Sequence, residues 1–308
     1  MMPNITNTCP KDAPWNTLRA LSISYYTITV LAAILHVFGL FIFWRVEFPG
    51  VNRKKIIMNL GVTELTYCIY QLGRYAAKQI FDPHDALVQV SVAVRIFLSA
   101  SNKLAMGHLI VDCFADLYLN SNYSLYFTPS KVNNAMWGVW VTCGMYSLIL
   151  AMVDVKFVKH YPKVHVRVNM FASAALDILI TIFALGTFLY FYRKLHNGNT
   201  NDQEREKSKE NHKVSIVILN EKKAKFLVPF LMIAAYLVFD VTGTLTAFSA
   251  FRGFICTRKE ILLKVGGLLV IVGYLIDACI YTFLHKGALR YITSIPRKDN
   301  SVSNIIIN

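Results

Sequence analysis

Charged side chains are scarce in this sequence. They make up 16% of its 308 residues, and hydrophobic side chains make up 55%, whereas a soluble domain carries about 25% charged residues. The charges that are present cluster in short segments. Between them lie apolar stretches about as long as the ~20 residues that a helix needs to cross the hydrocarbon core of a bilayer. The shortage of charge therefore indicates a membrane protein rather than a soluble protein with a large core.

Seven apolar stretches predict an all-α bundle of seven transmembrane helices, since a membrane barrel would show short alternating segments instead. The second and third are the least apolar of the predicted spans, which run near Ser22–Trp44, Lys55–Leu72, Leu87–Tyr118, Asn133–Val153, Val168–Tyr192, Phe226–Phe251 and Ile261–Leu284. Residues 1–21 then form an amino-terminal tail, residues 22–284 the bundle, and residues 285–308 a second tail. Within that second tail, His285–Ile292 has the composition of a short amphipathic helix.

Catalytic and cofactor-binding motifs are missing. No pair of histidines at metal-ligand spacing lies in a predicted span, no nucleophile has an identifiable base, and no glycine-rich phosphate loop is present. We therefore expect neither an enzyme nor a bound cofactor. The net charge of +14 would suit a nucleic-acid partner. In a membrane protein it is better explained by basic loops that face anionic membrane lipid, so no nucleic acid is expected.

The distribution of lysine and arginine predicts the orientation. If the amino terminus is extracellular, the four predicted cytoplasmic segments hold 18 basic residues and the external segments hold 11. Because basic residues are retained on the cytoplasmic side, this arrangement is favoured over its reverse. The external loop Asp154–Arg167 carries four of the 11 and weakens the bias. We expect a multi-pass protein of the plasma membrane with an extracellular amino terminus and a cytoplasmic carboxyl terminus.

Two of the six cysteines, Cys9 and Cys256, fall on the predicted oxidising side of the membrane. They are candidates for a disulfide between the amino-terminal tail and the last external loop, with two free thiols as the alternative. The other cysteines lie within or at the ends of spans and are expected to be free thiols: Cys68, Cys113, Cys143 and Cys279. Asn4 begins a sequon in the external tail and is a glycosylation candidate.

Three local motifs support a family resemblance. The second span contains Asn59-Leu60-Gly61-Val62-Thr63-Glu64, the third ends in Asp112-Cys113-Phe114, and the seventh contains Asp277-Ala278-Cys279-Ile280-Tyr281. In order and spacing they resemble the Asn-Leu-Ala-x-x-Asp, Asp-Arg-Tyr and Asn/Asp-Pro-x-x-Tyr motifs of the rhodopsin-like (class A) G-protein-coupled receptors. The resemblance implies a seven-helix receptor for an unknown extracellular ligand, with a heterotrimeric G protein as a candidate partner.

The motifs also depart from the family pattern. In the family, the positions of Asp112, Cys113, Phe114 and Tyr281 serve activation and coupling. Cys113 stands where the family has the arginine that engages the G protein, and Ala278 stands where it has proline. The resemblance therefore implies a divergent receptor that activates ordinary G proteins weakly or not at all. Without the arginine, Asp112 must be protonated or must borrow a cation from the cytoplasmic rim, for which the candidates are Lys222, Lys223 and Lys225.

Ionisable residues inside spans are the best indicators of function, because each costs about 2.5–3.5 kcal/mol to insert at the centre of a membrane helix. Glu64 and Asp277 match the two family positions that help to bind sodium, and Asn102 is a candidate neutral ligand. Paired carboxylates in a helix bundle repel unless they share a cation or a proton. The pair is therefore interpreted either as a cation site or as a protonated Glu64 hydrogen-bonded to Asp277.

Arg95 lies in the part of the third span that faces the ligand in many family members. One interpretation is an anchor for an anionic ligand group, because arginine binds a carboxylate with two hydrogen bonds. The other is an internal ion pair with Asp177 of the fifth span. Lys103 and Asp240 form a second candidate internal pair. A small transporter or channel that uses these charges as a pathway is the alternative function, and a receptor-like protein that signals only through a partner is another.

The predicted topology can be tested with epitope tags placed before Met1 and after Asn308. We expect the first tag to stain intact cells and the second to stain only permeabilised cells, because seven spans place the two ends on opposite sides. Tags that both stain on the same side would exclude an odd number of spans.

Overall fold

A computed structural model describes residues 15–46, 48, 50–80, 85–157, 164–205, 225–250 and 256–284. All regular structure in these ranges is helical, and they contain no β-strand. The helices are α1 (Trp15–Arg45), α2 (Val51–Ile80), α3 (Asp85–Leu119), the short α4 (Tyr123–Tyr126), α5 (Pro129–Phe157), α6 (Val164–Arg205), α7 (Lys225–Ser249) and α8 (Cys256–Cys279). The sequon at Asn4, the residues Cys9, Lys222 and Lys223, and the predicted amphipathic helix lie outside the described residues.

Within the described part of the chain, four helices are long and apolar enough to cross a membrane. They are Trp15–Arg45, Val168–Lys194, Lys225–Ser249 and Lys259–Leu284. Their outer faces carry large exposed apolar side chains, such as Phe38, Ile178 and Leu189. Large apolar side chains exposed along such helices suit a surface that faces lipid. The prediction of an all-helical membrane protein is confirmed at this level.

α2 and α3 carry several ionisable side chains that point into the bundle. On α2, Arg53 and Glu64 are buried, and on α3 Lys103, Asp112 and Asp116 are buried. α3 occupies the centre, where it packs against α2, α5 and α6. These buried side chains lower the hydropathy of the two helices while their charges stay away from lipid. Their positions in the bundle therefore account for the weak hydropathy signal.

The helices extend beyond the apolar stretches from which they were predicted. α1 begins at Trp15 rather than near Ser22, and α6 continues to Arg205 rather than ending near Tyr192. Hydropathy marks only the part of a helix that suits lipid, whereas backbone hydrogen bonding continues through polar residues. The predicted loop Leu119–Val132 contains a tight helical turn at Asn120–Asn122 and then α4.

Two wide, π-helical turns, with i→i+5 hydrogen bonds, interrupt regular α-helix. One lies inside α7 at Tyr236–Val241, and the other continues α8 at Ile280–Leu284. A wide turn inserts an extra residue, which turns neighbouring side chains to new directions and is frequent at functional sites. Asp240 lies on the first wide turn and Tyr281 on the second, so both turns contribute a polar side chain to the interior.

α7 and α8 approach each other through Gly243 and Gly266. A Cβ built at Gly266 would lie 2.5 Å from the carbonyl oxygen of Gly243, and one built at Gly243 would lie 2.6 Å from the carbonyl oxygen of Gly266. The obstructing atoms belong to the backbone and cannot rotate away. Small residues at such crossings allow membrane helices to pack closely, so these two glycines hold the two helices together.

Replacing Gly266 with alanine should lower the thermal unfolding midpoint of the purified protein, because overpacking of this kind costs about 1–3 kcal/mol. Gly186→Ala on α6 is the matched control, because nothing lies within 4 Å of the position of its Cβ. Unfolding curves in detergent measure both variants. Equal midpoints for the two would show that the glycine contact does not hold α7 to α8.

Candidate functional site

In the part of the chain that the structure describes, three clusters of mostly buried polar side chains join the helices. The lysine triad consists of Lys103, Asp177 and Asp240. The carboxyl pair, Glu64 and Asp277, lies with His36 and Tyr281. The latch cluster consists of Arg53, Asp112, Asp116, Tyr123 and Lys225. Lys103 and Asp112 are both on α3, and at ~1.5 Å per residue the nine steps between them place the triad and the latch cluster about 14 Å apart along the helix.

The lysine triad connects α3, α6 and α7. The Lys103 Nζ lies 2.5 and 2.6 Å from the two carboxylate oxygens of Asp177, 3.1 Å from Asp240 Oδ1 and 3.1 Å from Thr244 Oγ1. Tyr236 donates a further hydrogen bond of 2.6 Å to Asp177 Oδ1. Because charged hydrogen bonds are strong where water is excluded, these contacts fix the relative positions of the three helices.

The structure pairs Asp177 with Lys103 rather than with Arg95, so the predicted Arg95–Asp177 ion pair is wrong. Lys103 lies two turns further along α3, level with Asp177, and it reaches the predicted Asp240 as well. Arg95 is exposed and lies among the tyrosines Tyr25, Tyr67 and Tyr70. Asp177 is engaged by Lys103 inside the bundle, whereas the nearest groups to Arg95 are tyrosine hydroxyls, including a hydrogen bond to Tyr67.

The carboxyl pair lies between α2 and α8. The Glu64 carboxyl is beside that of Asp277 and 3.5 Å from His36 Nε2. His36 Nδ1 is hydrogen-bonded to the Tyr281 hydroxyl at 2.6 Å. Tyr281, predicted for activation, is therefore part of this cluster. His36 was missed as its neighbour, although a lone histidine in an apolar span was the available signal.

Several polar atoms of this region have no hydrogen-bond partner among the described residues. They are both carboxyl oxygens of Glu64, Asp277 Oδ1 and His36 Nε2; on α3, both amide atoms of Asn102, the predicted neutral ligand, likewise have no partner among the described residues. A buried polar atom without a partner costs about 1–3 kcal/mol, and two adjacent carboxylates also repel. The structure thus brings Glu64 and Asp277 together, as the sequence predicted, in surroundings that suit a shared proton or a small cation.

The latch cluster surrounds the guanidinium of Arg53 on α2. Its Nε lies 2.9 Å from Asp112 Oδ2 and its Nη2 lies 2.8 Å from Asp116 Oδ2. Asp112 and Asp116 are one turn apart on α3, so their carboxylates share one face of the helix. Lys225, at the start of α7, binds Asp116 at 2.6 Å. The cluster therefore joins α2, α3 and α7.

Two further contacts complete the latch cluster. Tyr123 of α4 donates a hydrogen bond to Asp112 Oδ1, and burial together with the Asp112 carboxylate raises the pKa of this phenol, which keeps it protonated as a donor. The Arg53 guanidinium lies 4.7 Å from the centre of the Phe226 ring on α7. A cation over an aromatic face adds attraction at a desolvated site.

Arg53 was not among the predicted partners of Asp112. Lys225 was among those predicted partners, but in the structure it binds Asp116 instead. Arg53 was assigned to a basic cytoplasmic segment, whereas in the structure its side chain is only 2% exposed and points between the helices. The Asp112-x-x-x-Asp116 spacing was the available signal, because two carboxylates on one face require a cation. Cys113 is buried beside Arg53, and Phe114 packs against Tyr118, Phe183 and Tyr190.

Cys68, Cys113, Cys143 and Cys279 are free thiols, as predicted. The predicted disulfide between Cys9 and Cys256 lies outside the described residues, which include neither Cys9 nor the side chain of Cys256.

Comparison with known proteins finds no family model and no curated sequence that matches this chain.

Sodium should stabilise the protein if the carboxyl pair holds a cation. At roughly ten times its dissociation constant, a ligand bound only by the folded state contributes about 1.4 kcal/mol. We expect sodium, compared with choline at equal ionic strength, to raise the thermal midpoint of the wild type, and Glu64→Gln to abolish the rise. Glu260→Gln, at an exposed carboxylate of α8, is the control and should keep it. A wild type indifferent to sodium would indicate a shared proton instead.

Proposed function

We propose that this chain is a divergent seven-helix receptor of the rhodopsin-like type in the plasma membrane. In this proposal α2, α3 and α5 cross the membrane together with the four apolar helices, and the amino terminus is extracellular. A ligand bound between the helices rearranges their cytoplasmic ends. The observation that carries the proposal is the latch cluster, a set of ionic contacts that closes one end of the bundle across three helices.

The latch cluster has the properties of a contact that opens. A buried ion pair adds little net stability, because desolvating the charges offsets their attraction. Apolar packing would hold α2, α3 and α7 together equally well without fixed charges. The Lys225 side chain is 33% exposed while the Asp112 side chain is fully buried, so water and a partner reach the cluster from the α7 side. Signalling requires two states of the bundle, and this cluster supplies a contact present in one of them.

A cavity of about 280 Å³ adjoins the latch cluster. Its wall includes Arg53, Asp116 and Lys225 together with Asn52, Tyr123 and Phe127. The Asn52 side chain donates a 2.5 Å hydrogen bond to the Phe127 carbonyl, which holds the α4 segment against α2. A cytoplasmic partner that entered here would contact the charges of the latch directly.

The position of the arginine supports atypical coupling to G proteins. In the resemblance, the motif arginine belongs to the third span, beside its aspartate. Here the cation that binds Asp112 comes from α2, and its guanidinium is held by Asp112, Asp116 and the Lys225 carbonyl oxygen at 3.4 Å. An arginine anchored on α2 cannot follow α3 when that helix moves. We therefore infer weak activation of ordinary G proteins.

Loosening the latch should separate α3 from α7. Lys225→Gln removes one ion pair and leaves Arg53 with both carboxylates, so the protein should still fold. Spin labels at the exposed positions Tyr118 and Leu227 report the distance between the two helices in lipid nanodiscs. We expect a longer or broader distance distribution in Lys225→Gln than in the unmutated chain.

Lys131→Gln is the matched control. Lys131 is exposed in the first turn of α5, which follows α4 of the latch cluster, and it is not part of that cluster. It should leave the distance unchanged. Arg53→Gln should destabilise the fold itself, since removing one partner of a buried pair costs about 3–5 kcal/mol, and should reduce surface expression. An unchanged distance in Lys225→Gln would contradict the latch.

A further inference from the structure

A second cavity lies between α3, α5 and α6. Its volume is about 310 Å³, within the range of small-molecule sites. α5 and α6 make few contacts with each other, whereas α3 packs against both and closes the inner side. The cavity is therefore a cleft between α5 and α6 with α3 as its floor.

The wall of the cleft is apolar with scattered neutral polar groups. Ile96, Leu104, Ala172 and Leu176 supply apolar surface, and the neutral polar side chains are Ser99, Thr142, Cys143, Tyr146, Asn169 and Ser173. The Tyr146 hydroxyl and the Asn169 side-chain oxygen are 3.5 Å apart across the cleft. Hydroxyl and amide groups of this kind bind a neutral oxygen or hydroxyl of a ligand.

Of the described residues in this wall, Lys103 alone is charged, and its ammonium is already paired with carboxylates. Its ammonium contacts Asp177, Asp240 and Thr244, so only its methylene stem is left to face the cleft. A ligand carboxylate brought to this ammonium would meet two carboxylates already bound there, which disfavours an anion. Among the described residues that line the cleft, none carries a carboxylate that could bind an amine. These charges select a neutral ligand.

The cleft is reached from the surface that faces lipid. Thr142 on its wall is exposed. The outer faces of α5 and α6 beside it carry the exposed apolar side chains Val141, Met145 and Phe171. A molecule dissolved in the membrane could enter between the two helices without crossing water, whereas a water-soluble ion would have to leave water first.

We propose that this cleft binds a neutral amphiphile from the membrane, with an apolar body and a hydroxyl or carbonyl group, such as a sterol or a long-chain alcohol. The hydroxyls of the wall bind the polar group, and the apolar side chains hold the body. Binding in the cleft does not depend on the proposed receptor function. Only its effect on signalling does.

The wall of the cleft and the lysine triad share residues or have residues that are adjacent along a helix. Leu176 on the wall directly precedes Asp177, and Ser173 lies one turn before it on α6. Lys103 belongs to both the wall and the triad. An occupant that pushes on α6 therefore shifts Asp177 relative to Lys103, and with it Asp240 on the wide turn of α7. Ligand binding in the cleft thus acts on the helix that carries Lys225 of the latch.

Photo-crosslinking of the full chain in nanodiscs tests the site. Three probes share one long alkyl chain with a diazirine and differ only in the head group, which is an alcohol, a carboxylic acid or an amine. We expect the alcohol to label residues 96–104, 142–146 and 169–176, as mapped by peptide mass spectrometry, and unlabelled alcohol to compete. The acid and the amine should label these segments less.

Ala172→Phe places a ring in the cleft and should lower the alcohol's labelling about tenfold, equivalent to ~1.4 kcal/mol. Ile182→Phe, on the exposed face of the same helix, should leave it unchanged. If Ala172→Phe fails to fold, the double variant Ser99→Ala and Ser173→Ala adds no bulk and should lower labelling severalfold by removing hydrogen bonds.

Labelling that is equal for the three probes, spread over the outer faces, or unaffected by the cleft variants would overturn the proposal. Stronger labelling by the acid or the amine would overturn the assignment of a neutral ligand. Saturating alcohol should also change the distance between spin labels at Tyr118 and Leu227. Specific labelling without that change would support the binding site and count against the receptor function alone.

Discussion

A charge inside a helix bundle must have a partner, and this requirement organises the interior of the protein. Its buried cations lie against carboxylates: Lys103 against Asp177 and Asp240, and Arg53 against Asp112 and Asp116. Each pairing joins different helices: Lys103 connects α3 to α6 and α7, and Arg53 connects α2 to α3. Because an unpaired ion at this depth would cost several kcal/mol, helices that carry opposite charges must be adjacent. The order of packing around α3 follows from these pairings together with close apolar contact.

The ionic clusters and the glycine contact contribute differently. Gly243 and Gly266 bring two backbones together, which gives α7 and α8 a rigid, short-range contact. The lysine triad and the latch cluster hold α7 to α3 through side chains that are long and flexible. A rearrangement that keeps α7 on α8 while changing its contact with α3 therefore breaks the weaker type of interaction. The proposed signal follows this path, from the cleft beside Lys103 to the latch at Arg53.

The resemblance to rhodopsin-like receptors remains a proposal, and the structure shows in physical terms what it would require. The carboxyl pair adjoins His36 and Tyr281. The motif on α2 and the motif at the end of α8 therefore meet in one polar region. Cys113 stands where those receptors have arginine, and the guanidinium that binds Asp112 belongs to Arg53 of α2. A carboxylate buried at that position needs a cation whichever helix supplies it. A guanidinium therefore neutralises Asp112, but it comes from α2 rather than from the position of Cys113 on α3.

The sequence by itself determined the medium and the kind of structure. The lengths of the apolar stretches required helices in lipid, and the isolated charges within them marked Glu64, Lys103, Asp112, Asp240 and Asp277 as interior residues. The sequence also predicted that Lys103 pairs with Asp240, but the partners of Asp177 and Asp112 were decided only by tertiary structure. Arg95 and Lys103 are two turns apart on one helix, and nothing local states which of them faces Asp177. Arg53 reads as a loop residue until α2 is placed beside α3. Pairing depends on helix rotation and depth, and the neighbours of a helix, rather than its own sequence, set both.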